Sequence, residues 1–369
     1  MVLTLFIINI VLNAAMILRR KRNMLVVLFS IISIVLIMGL NTFTDDYPIY
    51  EYHYKLNDTA TFEIGYLFFQ NMFHKFGIEY DVFKFFLTLA GIIIGIIAVG
   101  KSTSNYHIVI LGYTVTSIFL DTDEVRQFVA YMCYALAFAC LTDEKKGKLK
   151  YTIWILFGAT IQKSAIALVL FPFLFSGLKN RTRLLRIYFT IIGLFCILIL
   201  FNGNRIPFLS QLSLIFLDSS KLMYFESATR FGWLLPFSGY FMNLYIAKMG
   251  VKDALLNPEY YSERETKLIE NLYDCILYTA FALPLCMINL EFERYVKFNI
   301  ITCLMVVAIV YGRSIKSYQP ISKNSIVLDK FNGILILYIT SYEIFFQHYR
   351  VLGQVLENNV INTFSIKGF

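Results

Sequence analysis

Apolar residues run through this chain in long uninterrupted blocks separated by short polar clusters, without the two-residue alternation of a half-buried strand or the one-sided stripe of a surface helix. Blocks of this kind approach the roughly 20 residues a helix needs to cross a bilayer. In order, they predict spans at residues 2–18, 24–40, 82–100, 106–120, 125–141, 187–201, 233–250, 268–287, 295–312 and 331–347. The expected fold is an all-α integral membrane protein of about ten transmembrane helices. The first span has its positive cluster after it, the reverse of a cleavable signal peptide, so it should remain as a span.

One block breaks the alternation of sides. Residues 151–176 are apolar, with Lys163 the exception, and have lysine or arginine clusters at both ends, which a single span would place on opposite faces. A re-entrant hairpin of two short helices, broken near Gln162-Lys163-Ser164 and returning through Phe171-Pro172-Phe173, keeps both clusters together. One long tilted helix with a misplaced neighbour is the competing map. With the hairpin, the basic clusters at residues 19–22, 145–150, 179–186, 252–267 and 313–330 all fall on the cytoplasmic face. Both termini are then external. Long external loops are expected at 41–81 and 202–232, with short interfacial helices at 64–73 and 209–217. No repeat or linker divides the chain, so residues 1–369 are read as one polytopic domain.

Composition agrees. Of 369 residues, 58% are hydrophobic and 16% charged, against about 25% charged in a soluble domain. The net charge of +8 sits between apolar blocks, where it sets topology, so no nucleic-acid partner is expected. The six cysteines lie in or beside apolar runs and read as packing residues, and none of the four histidines has metal-ligand spacing. No P-loop, dinucleotide glycine pattern, serine elbow or zinc-protease motif occurs, and no cofactor is expected.

Candidate chemistry gathers on the acidic, external side. The loop from Asn41 through Asp45, Asp46 and Tyr50 to Glu63 offers carboxylates for a general base or a divalent metal, and tyrosines as platforms for sugar rings. A solvated loop with interfacial tyrosines is the plain alternative. Arg126, followed by Gln127 at the mouth of a span, either pairs locally with Asp123 or Glu124 or grips a phosphate. Gln162, Lys163 and Ser164 stand where half-helix ends expose backbone donors to anions, or the lysine snorkels to an external acid. Arg294, with Glu291 or Glu293 as its partner, and Arg205 and Arg230, which bracket the second long loop, complete a set of arginines on an arginine-poor face. Together they suit a pyrophosphate.

The order of these features resembles the EpsG family of Wzy-type polysaccharide polymerases. The resemblance spans about residues 44–298: the acid-and-tyrosine loop, Glu63-Ile64-Gly65-Tyr66, Val125-Arg126-Gln127 with Ala130, Gln162-Lys163-Ser164-Ala165 and Glu293-Arg294-Tyr295. It implies an integral membrane glycosyltransferase of the bacterial cytoplasmic membrane that joins undecaprenyl-diphosphate-linked oligosaccharides into capsule, O-antigen or exopolysaccharide on the outer face. A flippase and a chain-length regulator are the partners it implies. Arg126 and Arg294 would stabilise the departing pyrophosphate, with Lys163 as a further cation, while Asp45 or Asp46 accepts the attacking hydroxyl's proton, and no metal is strictly required. Members of the family often carry histidine where this chain has Gln162, which cannot act as a base. A polyprenyl-phosphate-sugar transferase and a lipid-oligosaccharide flippase are the other classes the pattern allows.

Overall fold

The computed structural model describes residues 1–42, 44–57, 62–143, 145–174, 181–206, 231–316, 353–356, 359–360 and 362. The span expected at 331–347, the short helix expected at 209–217 and Arg230 lie outside them. The described residues are α-helical, with one isolated antiparallel bridge between Asn41 and Asn359. The first half holds α1 (Val2–Leu18), α2 (Met24–Gly39), α3 (Tyr47–Lys55), α4 (Ile64–Lys75), α5 (Tyr80–Ser102), α6 (Tyr106–Thr116), α7 (Ile118–Asp123) and α8 (Val125–Cys140). Then come α9 (Gly147–Ile161), a 3₁₀ turn at Lys163–Leu168, α10 (Phe171–Leu174) and α11 (Arg181–Phe201). The chain continues with α12 (Leu234–Leu256), α13 (Glu263–Thr279), α14 (Ala282–Ile288), a 3₁₀ turn at Leu290–Glu293 and α15 (Arg294–Lys316).

Three stretches are long and apolar enough to cross a membrane, Tyr80–Ser102, Arg183–Phe201 and Leu290–Gly312, and the bent pair α13 and α14 makes a fourth if taken as one span. Shorter apolar helices include α1, α2, α6 and α8. The membrane-type all-α architecture is as expected, while ten full-length spans are not reached among the described residues. Two expected spans are interrupted. Residues 106–120 bend at Ser117 between α6 and α7, and residues 268–287 break between α13 and α14 at an angle of 42°. Pro284 accounts for the second break, since its ring excludes the carbonyl four residues back and it has no N–H to give. Tyr188 of α11 repairs the gap: its hydroxyl accepts the Phe281 N–H at 3.1 Å and donates to the Tyr278 carbonyl.

The bundle is organised around α8. Apart from Arg126 every residue of this helix is buried, so it sees neighbouring helices rather than lipid. Glycines let them close in. A Cβ at Gly91 or Gly95 of α5 would lie 2.4 Å from Phe128 or 2.6 Å from Met132, and one at Gly158 of α9 would lie 3.2 Å from Cys133 and 3.6 Å from the Ala130 carbonyl. Small residues at four-residue spacing are the usual device for bringing helices together where lipid supplies no hydrophobic drive. The outer faces stay apolar: Val82, Phe86, Ile93 and Ile97 on α5, and Ile187, Ile191, Leu194 and Leu198 on α11, are exposed at helical spacing. Polar side chains buried between α1, α2 and α6 satisfy one another, Asn13 donating to Ser30 at 2.8 Å and Asn9 to Thr114 at 3.0 Å.

The two ends of the bundle differ in charge. At one, Asp143 is surrounded by Lys150 at 2.6 Å, Lys101 at 3.6 Å and Arg264 at 3.7 Å. At the other, where α8 begins and α5 begins, lie Asp46, Asp81, Asp123, Glu124 and Arg126. The expected hairpin is present between them. α9 climbs from the basic end, the helix breaks at Gln162 with extended dihedrals of φ −148° and ψ 114°, and the returning arm runs back beside it. Tyr151 near the base of α9 donates to the Leu168 carbonyl at 2.8 Å, and Lys148 lies over the Phe173 ring at 5.8 Å. Both arms therefore start and finish at the basic end. The N-terminus lies at the acidic end, its amine donating to Asn362 Oδ1 at 3.2 Å.

Candidate active site

Arg126 opens α8 and is held on several sides. Its Nη1 donates to Glu63 Oε2 at 2.6 Å and its Nε to the Tyr50 hydroxyl at 3.2 Å. The guanidinium carbon lies 4.4 Å from the centre of the Phe62 ring, 5.1 Å from that of Tyr50 and 5.4 Å from that of Tyr66. A guanidinium caged by ring faces and one carboxylate keeps its charge and its orientation. The local partner anticipated from sequence is not used. Asp123 instead accepts the backbone N–H of Asp46 at 2.9 Å, and Glu124 is buried within the fields of Lys297 and Arg294. The partner is Glu63, brought from the segment just before α4 by tertiary packing.

The Glu63-Ile64-Gly65-Tyr66 motif has a physical reading. Glu63 bridges two elements, one oxygen on Arg126 and the other accepting the backbone N–H of Lys163 at 3.1 Å. Gly65 is where the end of α9 leans on α4, since a Cβ there would meet Thr160 Oγ1 at 2.2 Å and its carbonyl oxygen at 2.9 Å. Tyr66 supplies a wall of the cage. The interfacial helix expected at 64–73 is α4, but the segment before it, read as loop, contains α3, with Pro48 in its first turn and Tyr47 and Tyr54 buried.

The two acids of the Asp45-Asp46 pair separate. Asp45 is exposed and accepts from Gln354 Nε2 at 3.0 Å, pointing toward the C-terminal segment. Asp46 is half-buried, and burial pushes its carboxyl from 3.8 up to about 7, with the charges of Asp123, Glu124 and Glu291 adding to the effect and Arg126 opposing it. A carboxylic acid titrating there is a competent base at neutral pH. The loop that carries it is pinned from below by the buried Lys84, whose Nζ donates to the Asn41 carbonyl at 2.7 Å. Tyr50 is pushed up to about 12 by burial, so it stays protonated beside Arg126.

The hairpin tip supplies Gln162, Lys163 and Ser164. Ser164 Oγ donates to Gln127 Oε1 at 3.0 Å, which places Gln127 of α8 directly against the tip. Gln162 and Gln127 are buried. Lys163 gives its backbone N–H to Glu63, and its side chain is exposed, without an ion pair among the described residues. The counter-charge expected for its ammonium is thus not seen there.

Arg294 pairs with Glu291 through both side chain and backbone, its Nε reaching the Glu291 carbonyl at 2.6 Å, and Glu293 pairs with Lys297 at 2.5 Å. Glu291 acts on Asp46, and Arg294 on Glu124, so the late arginine borders the same acidic cluster as Arg126. Arg205 is exposed beyond the end of α11, and no contact among the described residues joins it to this cluster. The sequence reading did not assign Phe62, Asp123 or Tyr131 to the site. The only hint of Phe62 was its place four residues before Tyr66, a spacing that puts two rings on one side of a helix start.

The arrangement is a mouth in which fixed cations stand beside a neutral-range carboxyl and aromatic faces. No curated protein and no solved structure matches the chain. The model of the EpsG family matches residues 4–353, nearly the whole length, and with it the family anticipated from the motifs is met: the chain belongs to the EpsG family.

Proposed function

We propose that this chain polymerises undecaprenyl-diphosphate-linked oligosaccharide repeat units into capsular, O-antigen or exopolysaccharide at the outer face of the bacterial cytoplasmic membrane, as a roughly ten-span protein with both termini outside. Membership of the EpsG family supports a polysaccharide polymerase in general terms. The observation that carries the finer reading is the juxtaposition of the caged Arg126 with Asp46, whose carboxyl titrates at about 7.

A hydroxyl of the incoming lipid-linked unit attacks the anomeric carbon of the growing chain. The new glycosidic C–O bond forms as the bond from that carbon to the pyrophosphate oxygen breaks. Asp46 takes the hydroxyl proton, and undecaprenyl diphosphate departs with its charge met by Arg126, Arg294 and the exposed Lys163. Fixed cations do the electrostatic work here, and their orientation is set before substrate arrives. Glu63 holds the Arg126 fork, and Glu291 that of Arg294.

Arg126→Ala in a strain lacking the native gene tests this. The expected outcome is loss of long polymer with the protein still in the membrane and single lipid-linked units accumulating outside. Long polymer from that variant overturns the assignment, and units trapped inside would point to a transporter.

A further inference from the structure

Four buried side-chain atoms around this mouth lack a well-formed hydrogen bond: Oε2 of Glu124, Nε2 of Gln127, the hydroxyl of Tyr131 and Oε1 of Gln162, the Gln127 amide acting on the Tyr131 hydroxyl short of full hydrogen-bond geometry. The first three lie at spacings of three and four residues along one side of the start of α8, where helical neighbours face the same way. Gln162 joins them because Ser164, two residues on, is bonded to the Gln127 side chain. Tyr131 and Gln127 are 5% and 4% exposed and Gln162 9%, so bulk water does not serve these atoms. An unmet buried polar atom costs about 1–3 kcal/mol, and folded proteins keep few of them. Four gathered beside Asp46 and Arg294 point to a ligand that completes them.

Their chemistry selects its class. A carboxylate oxygen and an amide oxygen accept, an amide nitrogen donates, and a phenol does either. A phosphate offers acceptors and would meet Glu124 and Gln162 oxygen to oxygen. Sugar hydroxyls each donate and accept, and match the mixed set. We propose that Glu124, Gln127, Tyr131 and Gln162 form the slot that binds the hydroxyls of the acceptor sugar, the residue that delivers the attacking hydroxyl to Asp46, while the pyrophosphate stays with the arginines. This rests on the polymerase reading. It also gives Gln162 a role suited to an amide: it binds sugar where a histidine would exchange protons.

The test uses the full-length protein in lipid nanodiscs and, as probe, lipid-free repeat-unit oligosaccharide cut from the producing strain's own polysaccharide. Tyr131→Phe and Gln162→Leu each remove one unmet atom. Each is expected to weaken oligosaccharide affinity about 3- to 10-fold, the value of one neutral hydrogen bond. The unfolding temperature of the sugar-free protein should hold or rise, because an unpaired buried group has been taken away. Wild-type affinity in both variants would overturn the slot, as would a fall in unfolding temperature with affinity unchanged, which assigns the atoms to buried water. The two readings fail separately. If Arg126→Ala abolishes polymer while both slot variants bind like wild type, only the slot is lost; if the variants bind weakly while the Arg126→Ala strain traps lipid-linked units inside the cell, the slot stands and the polymerase reading falls.

Discussion

Asp46 shows how one residue's environment decides its chemistry. Its neighbour in sequence, Asp45, has the same side chain but faces solvent and Gln354, whereas Asp46 is packed among Asp123, Glu124 and Glu291. Asp46→Asn should lower polymerisation about 10²- to 10⁴-fold, the usual contribution of a general base, and the wild-type rate should climb with pH on a limb centred near 7. The sign for stability is opposite. A carboxyl whose folded pKa is raised contributes stability that is full below its unfolded value of 3.8 and is lost as pH rises through about 7. The Asn variant avoids that loss, so at pH 8 it should unfold at a temperature a few degrees higher than wild type, and at pH 4 at about the same one. Equal unfolding temperatures at pH 8, measured by a dye-free thermal scan in detergent, would remove Asp46 from its strained position. Asp45→Asn should change neither profile.

At the scale of elements, the site depends on three approaches that glycine permits: α4 to α9 at Gly65, and α5 to α8 at Gly91 and Gly95. Gly65→Ala places a methyl against Thr160 Oγ1 and its carbonyl, so α4 must lift and carry Glu63 away from both Arg126 and the Lys163 N–H. Forced overpacking of this kind costs about 1–3 kcal/mol. Polymer yield is expected to fall at least tenfold at unchanged membrane level. The matching change at Gly193 of α11, with nothing within 4 Å of its Cβ position, should be silent. Equal yields from the two variants would show that the α4 to α9 contact does not position the cage. The hairpin is the other element on which the site depends. By breaking at Gln162 it frees the Lys163 N–H for Glu63 and turns Gln162 and Ser164 toward α8, a use of irregular backbone that a membrane interior tolerates only where protein surrounds it.

The described residues separate their charges, a basic end around Asp143, Lys101, Lys150 and Arg264, and an acidic end holding the site and the N-terminus. With the basic end cytoplasmic, Asp45→Cys should react with a membrane-impermeant maleimide on intact cells and Lys150→Cys only after permeabilisation, in a background in which Cys196, the one native cysteine not fully buried, is serine. The reverse pattern would invert the orientation. If the proposed arginines meet a leaving pyrophosphate, polymerisation by the purified protein should proceed at an undiminished rate with excess EDTA. Loss of rate that added divalent cation restores would instead make the Asp45-Asp46 loop a metal site.

The apolar blocks by themselves determined that the chain is helical and of membrane type, and lysine and arginine clusters at both ends of residues 151–176 favoured a turn near Gln162 over one long tilted helix, because the cost of moving charge through lipid is read residue by residue. Short motifs also marked Asp46, Glu63, Arg126 and Gln127. Local sequence could not say which acid meets Arg126. Asp123 and Glu124 are nearest along the chain, but chain distance does not set direction, and at the start of α8 Asp123 takes the Asp46 N–H and Glu124 is buried without pairing to Arg126, while Glu63 arrives across the α4 to α9 contact. The same holds for the break at Pro284, healed by a tyrosine from α11, and for the difference between Asp45 and Asp46. Burial and long-range pairing are properties of the packed bundle, so they decided which of the marked residues work together.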